Sequence, residues 1–248
     1  MTKRSDNREA RAEKARSIEE RGFRRLYGRR HGKPLRPARR ALVEQLLPEL
    51  LIDLPQESGT LDPNSLFDHQ PRQIWLEVGF GKGEHLAWQA AHNPDIGFMG
   101  VEPFYNGLAS LLDVISREKV GNIRLYDDDA AMLLESLKPA SLSRAFVLFP
   151  DPWPKSRHHR RRFIRPENLD LLATAIKPGG ELRIGTDHAD YGNWIVRHMH
   201  PRPDFDWLAE SPADWRVRPD DWPQTRYEAK AVREGRSSIY LRYRRNDL

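Results

Sequence analysis

Three prolines within five residues, Pro150, Pro152 and Pro154, follow the apolar run Ala145-Phe146-Val147-Leu148-Phe149. No other feature restricts the backbone as much. The run reads as a buried strand bounded by a breaker. Proline fixes φ and lacks an N–H, so Phe149–Lys155 can extend neither a helix nor a ladder. Asp151 and Trp153 are therefore held on a stiff loop at the C-terminal end of a strand, the edge where open α/β sheets bind ligands. Lys155, Arg157, Arg160, Arg161, Arg162 and Arg165 follow with no acid between them. A fixed carboxylate beside so large a positive patch suits chemistry on a nucleic acid; the plainer reading is a Pro-rich turn before a solvated basic face. Trp153 would stack on a base or pack the loop, and packing is favoured. His158-His159 have no cysteine or acid at ligand spacing, so no metal is expected.

Charge sharpens this picture. The chain of 248 residues carries a formal net charge of +5. Residues 1–40 hold 15 Lys and Arg against 5 Asp and Glu, whereas residues 41–248 hold 26 against 31. Basicity is thus local to the N-terminal arm, the loop after Phe149, and a cluster at Arg226, Lys230, Arg233, Arg236, Arg242, Arg244 and Arg245. Localised patches on an acidic body point to a polyanionic partner. There is no cysteine, which excludes disulfides, thiolate-bound zinc and thiolate catalysis. With no apolar signal core and no membrane-length apolar run, a soluble cytoplasmic protein is expected, with no membrane and no obligate protein partner.

The expected organisation is a basic arm, short helix and linker over residues 1–71, then a catalytic domain over 72–248. In the arm, Phe23 and Tyr27 interleave with Arg24, Arg25, Arg29 and Arg30, a mixture suited to phosphate contact and base stacking, or to a solubilising tail. An amphipathic helix is predicted from Arg36 to Leu47, stopped by Pro48, and residues 53–71 read as a linker. Strands and helices then alternate. Strands are predicted at Gln73–Val78, Ile96–Val101, Asn122–Tyr126, Arg144–Phe149 and Glu181–Thr186. Helices follow each: one ending near Ala91, one carrying Leu108, Leu111, Leu112 and Ile115, one capped by Asp129, one from Pro166 ended by Gly179-Gly180, and one over Asp187–Met199. Phe205–Leu208 and Ser238–Tyr243 form a closing strand pair. Repeated β-α units imply an α/β fold with a parallel sheet covered on both faces.

Leu76-Glu77-Val78-Gly79-Phe80-Gly81-Lys82-Gly83 is a glycine-rich strand-to-helix turn. Glycines at 79, 81 and 83 let the backbone approach a nucleoside closely. Glu102, ending the second strand, is positioned to accept both hydroxyls of a ribose. Asp129 would contact the base of the same nucleoside or simply cap its helix. Glu77 would meet a ligand ammonium or orient the turn.

These residues resemble the bacterial tRNA (guanine-N7-)-methyltransferases. The matching stretches are Leu76–Gly83, Gly100-Val101-Glu102, Asp129-Ala130, Phe149–Lys155 with its His-His-Arg-Arg-Arg extension, Gly185-Thr186-Asp187, Thr225-Arg226-Tyr227-Glu228 and the Arg24–Pro37 arm. The resemblance covers roughly residues 24–245, and Pro-Asp-Pro-Trp-Pro-Lys is its most specific motif. It departs modestly: Pro103-Phe104-Tyr105 stands where a basic residue is expected, and Tyr227 where Phe is commoner. The resemblance implies a Rossmann-like class I methyltransferase with a mostly parallel seven-stranded sheet. It also implies S-adenosylmethionine as cofactor, with Glu77, Glu102, Asp129 and Asp151 around it. Lys155, Asp187, Thr225, Arg226, Tyr227 and Glu228 are implied to contact a tRNA substrate, methylated at N7 of a variable-loop guanine.

Guanine N7 carries a free lone pair, so its attack on a sulfonium methyl needs no general base. The transition state needs alignment and stabilisation of positive charge growing on the purine. Asp151 suits both if it accepts the guanine N1–H and exocyclic amine, which makes it the expected catalytic residue. Lys155 would hold a phosphate or the base oxygen, and Asp187 would add an acceptor or cap a helix. Two other readings are a methyltransferase for another nucleic-acid base and a non-catalytic RNA-binding protein.

Overall fold

A computed structural model describes residues 27–247. Phe23, Arg24 and Arg25 of the expected arm lie outside the described residues. Seven strands form one sheet: β1 (Gln73–Val78), β2 (Ile96–Val101), β3 (Ile123–Tyr126), β4 (Leu142–Leu148), β5 (Ile176–Thr186), β6 (Phe205–Trp207) and β7 (Ile239–Arg245). Their spatial order is β3-β2-β1-β4-β5-β7-β6. β1 to β5 are mutually parallel, and β7 runs antiparallel to both β5 and β6. The mostly parallel α/β architecture and its closing strand pair are as expected.

Alternating side chains of β1 enter two cores. Ile74, Leu76 and Val78 join Leu133, Leu169, Leu172 and Ile195 on one face. Trp75 joins Phe98, Phe146, Leu86, Leu108 and Leu112 on the other. Burial on both faces is why β2 reads as one continuous apolar run, Ile96–Val101. The helices covering these faces are α3 (Glu84–His92), α4 (Tyr105–Glu118), α5 (Ala130–Ser136), α6 (Pro166–Ala175) and α7 (Ala189–Met199). They follow α1 (Pro37–Gln45) and α2 (Leu47–Leu50) and precede the short α8 (Ala213–Arg216) and α9 (Arg226–Arg233).

Four local expectations are corrected. Pro48 does not stop the helix predicted over 36–47: that helix ends at Gln45, and Pro48 sits in the first turn of α2, where its missing N–H has no partner to lose. Residues 53–71 are not a free linker. They run along α5, with Gly59 N donating to Glu135 O (2.9 Å) and Leu61 N to Ser136 O (2.9 Å), while Leu61 and Phe67 enter the core. Gly179-Gly180 does not end α6, which stops at Ala175; the pair lies within β5, where the register against β4 shifts. The α7 cap is His188, not Asp187.

The sheet order reverses between β1 and β4. The glycine turn follows one strand and the proline loop follows the other, so both open onto the topological switch point.

Candidate active site

The floor of the site is the turn after β1. Gly79, Gly81 and Gly83 have φ of 70°, 59° and 79°, the left-handed region that side chains disfavour. Gly79 N donates to Val101 O at 2.8 Å, tying the turn to the end of β2. Helix α4 presses against it, since a Cβ on Gly107 would stand 2.1 Å from Gly81 O.

Glu102 closes this turn from the side. Its Oε2 accepts Gly81 N–H at 2.7 Å and its Oε1 accepts Phe104 N–H at 2.9 Å. It is 7% exposed, and burial pushes its carboxyl up to about 7 against the two amides; the Asp151 and Glu77 charges add to the rise. Asp129 caps α5, accepting from Ala131 N at 3.0 Å, and also lines the cavity above the turn. Glu77 does not line it. Its side chain lies beneath the turn on the α3 side, with Oε2 2.7 Å from Nδ1 of buried His85.

The opposite wall is the loop after β4. Phe149 and Trp153 have φ of 51° and 41°, strained conformations flanking Asp151. The Asp151 carboxylate reaches solvent within this concave site, and thinned hydration raises its pKa from the ordinary value. Trp153 packs edge-on to Tyr27 (ring centroids 6.2 Å) and His158 (5.9 Å). The Arg161 guanidinium lies 4.8 Å from the Tyr27 ring and 4.9 Å from that of Trp153. Lys155 is exposed at the start of a 3-10 helix, Ser156–Arg161.

The C-terminal segment contributes unequally. Thr225 caps α9 by accepting Glu228 N–H at 3.2 Å. Glu228 is buried, accepts the Tyr240 hydroxyl at 2.6 Å and pairs with Arg218 at 3.2 Å. Arg226 pairs with Glu84 at 3.3 Å, seating α9 on the start of α3. Tyr227 then reaches over Gly81 onto the cavity wall. Burial, Glu102 and Asp151 push its hydroxyl pKa up. Asp187 pairs with Arg236 at 2.8 Å and does not line the cavity.

Thus the structure brings Gly79, Gly81, Glu102, Asp129, Asp151 and Tyr227 around one cavity of about 400 Å³. Lys155, Asp187, Thr225, Arg226 and Glu228 lie outside its wall, as Gly83 and Glu77 do. Sequence reasoning missed Arg162, which reads as one more cation in a basic run yet lies buried against the proline loop in the cavity wall. It missed His85 as well, a helix residue with no motif around it. The root of the arm is anchored here: Arg30 O accepts Tyr105 N–H at 2.8 Å, and Gly32 N donates to Asn106 Oδ1 at 2.7 Å.

S-adenosylmethionine fits these residues. The volume falls within the ~300–1,000 Å³ range of small-molecule sites. A Cβ built on Gly79 meets nothing within 4 Å, leaving the turn's backbone open to close approach, and Glu102 presents a carboxylate beside it. Among the described residues no three His, Asp or Glu side chains gather at metal-binding spacing.

A family model described as "Putative methyltransferase" matches residues 71–241. Curated relatives named tRNA (guanine-N(7)-)-methyltransferase are similar over most of the chain. That from Zymomonas mobilis is 50% identical, covering 90% of this chain and 95% of the relative. That from Paramagnetospirillum magneticum is 46% identical over 99% of both. Among solved structures, the antibiotic-resistance methyltransferase Kmr superposes with a TM-score of 0.50 at 16% identity, covering 72% of this chain and 89% of Kmr. An rRNA methylase from Streptococcus thermophilus gives 0.50 at 12% identity, covering 75% and 92%. Those two likenesses show the shared class I methyltransferase fold, and the sequence relatives go further: the chain belongs to the tRNA (guanine-N(7)-)-methyltransferase family.

Proposed function

We propose that this protein transfers a methyl group from S-adenosylmethionine to N7 of a guanine in the variable loop of tRNA, conventionally position 46, acting in the cytoplasm. The observation that carries the reading is the sharing of one cavity by Glu102, beside the glycine turn, and Asp151, on the strained proline loop that leads into the exposed cations Lys155, Arg157 and Arg160. The family's name supports the substrate. No helix among the described residues is long and apolar enough to cross a membrane.

Glu102 and Asp129 hold the nucleoside end of the cofactor against Gly79 and Gly81, and Tyr227 covers Gly81. Glu77 acts from below the turn, through its pairing with His85, and Gly83 starts α3 there. When bound, S-adenosylmethionine supplies an electrophilic methyl on a sulfonium. Asp151 orients the guanine and stabilises positive charge on it, with no proton to remove at N7. Lys155, Arg157, Arg160 and the arm hold the RNA backbone. Thr225, Arg226 and Glu228 serve the substrate by fixing α9 and so aiming Tyr227; Asp187 does so through Arg236. Residues 72–248 form the catalytic unit, with residues 1–71 as its RNA-gripping arm and brace.

The test is methyl transfer to an unmodified tRNA transcript, with the modified position mapped by the susceptibility of N7-methylguanosine to reductive chain cleavage. The expected result is one cleavage in the variable loop. Methylation of a different atom, or none, would overturn the reading.

A further inference from the structure

Arg162 is a buried cation that the chemistry above leaves unused. It stands in a run of arginines, yet it is only 1% exposed, its buried side chain forming part of the wall of the cavity that Asp151 faces. Burying a guanidinium is costly unless its charge and donors are engaged. Here Nε donates to the carbonyl of Pro152 at 2.8 Å, and Nη2 pairs with Asp190 in the first turn of α7. The rings of Tyr191 and Trp194 lie 5.0 Å and 4.9 Å from the guanidinium carbon. The Asp190 carboxyl is held below its ordinary value chiefly by its hydrogen bond from Arg162, consistent with a formed ion pair.

The loop that Arg162 touches has few other restraints. Pro150, Pro152 and Pro154 have no N–H to donate. It enters through Phe149 (φ 51°) and turns again at Trp153 (φ 41°), both unfavourable without surrounding support. Phe149 N bonds Gly185 O at 2.8 Å, and His158 N bonds Lys155 O at 2.7 Å. Between those two bonds, among the described residues, no backbone–backbone hydrogen bond ties the chain. The Arg162 bond lands within that gap, on the residue next to Asp151.

We infer that Arg162 is the positioning residue of the proline loop: it grips the Pro152 carbonyl, anchored by Asp190 on α7, and so sets the aim of the Asp151 carboxylate. This rests on the catalytic role proposed for Asp151. Only a guanidinium serves both partners at once, because its donors diverge in a rigid plane, whereas a lysine ammonium is a single point.

The test is single-turnover methyl transfer at saturating cofactor and tRNA, for wild type, Arg162→Gln, Arg162→Lys, Asp151→Asn and the double variant Asp151→Asn/Arg162→Gln. Arg162→Gln should slow transfer by about 30-fold, with cofactor and tRNA dissociation constants within about threefold of wild type, because the loss falls on the transition state. Arg162→Lys should lie between the two. In the Asp151→Asn background, Arg162→Gln should add less than about threefold, since residues acting through one group are not additive. A purely structural arginine would instead weaken binding and multiply its loss onto that of Asp151→Asn, and that result overturns the inference. So does an Arg162→Gln enzyme within about threefold of wild type. Should Arg162→Gln fail to fold, Asp190→Asn takes its place, since that side chain is 59% exposed. It should slow transfer by about fivefold, and the effect should vanish in the Asp151→Asn background; multiplication there overturns the inference equally. A wild type that methylates no tRNA overturns the functional reading itself, whereas an active wild type with an unaffected variant overturns only the role of Arg162.

Discussion

Glu102 and Asp151 face one cavity but answer pH differently. Burial raises the Glu102 carboxyl from 4.5 to about 7. Between those values the folded state keeps a proton that the unfolded state has released, so stability falls as pH rises through the window. Thermal melts should show wild type losing on the order of 2–3 kcal/mol relative to Glu102→Gln from pH ~4.5 to ~7.5. Ribose hydroxyls need the ionised carboxylate, so cofactor affinity should weaken towards tenfold per unit below about pH 7. Calorimetry finding a constant affinity from about pH 5.5 to 8 would remove Glu102 from the site. Asp151 is also raised, by thinned hydration, but in the proposed mechanism it acts as a carboxylate and takes no proton. The single-turnover rate at saturation should therefore be flat from about pH 6.5 to 8.5, where a general base would make it climb. Asp151→Asn should cost about 2–4 kcal/mol in the transition state with tRNA affinity preserved, because the amide offers one acceptor to two guanine donors. A variant within about threefold of wild type would make the charge irrelevant.

Among the elements, the contact between α4 and the glycine turn is the most exacting. Any side chain at Gly107 collides with the backbone of Gly81, whose own N–H is held by Glu102. Backbone cannot swing aside as a flexible side chain can, so Gly107→Ala must displace the helix or the turn. The expected cost is about 1–3 kcal/mol of stability, with cofactor affinity lowered at least about tenfold. Gly121→Ala is the control, since a Cβ there meets nothing within 4 Å. Equal melting temperatures and cofactor affinities for the two variants would show that the turn tolerates movement. Helix α9 makes the complementary point. Its cap Thr225 and its buried Glu228 are engaged in holding the helix, and its exposed Tyr227 is what reaches the cavity.

For the whole molecule, the separation of charge is the feature that the proposed RNA capture rests on. Residues 30 and 32 are fixed to the start of α4, and Tyr27 lines the cavity beside the proline loop. Removing residues 1–26 should leave cofactor affinity unchanged and weaken tRNA binding. The slope of log affinity against log salt should shrink by roughly 0.7–0.9 for each phosphate that the shortened protein no longer neutralises. An unaltered slope in filter-binding titrations would make that segment a solubilising tail.

How much of this was legible beforehand follows from the range of the forces involved. Proline and glycine act through their own covalent geometry, and side-chain periodicity follows from strand and helix repeat. Hence the strand order in sequence, the glycine turn, the stiff loop with Asp151, and Glu102 at a strand end could all be read from the chain alone. The sheet's spatial order, which brings the turn after β1 beside the loop after β4, came through a known architecture rather than through periodicity. Burial and pairing depend on which surfaces meet, and no local pattern records that. Pro48 starting a helix, Leu61 and Phe67 entering the core, Gly179-Gly180 lying inside a strand, and Glu77 turned beneath the site towards His85 were decided by tertiary contacts. So was the fate of Arg162: identical in kind to its exposed neighbours, it is drawn inward because Pro152, Asp190, Tyr191 and Trp194 meet at one point only in the folded chain.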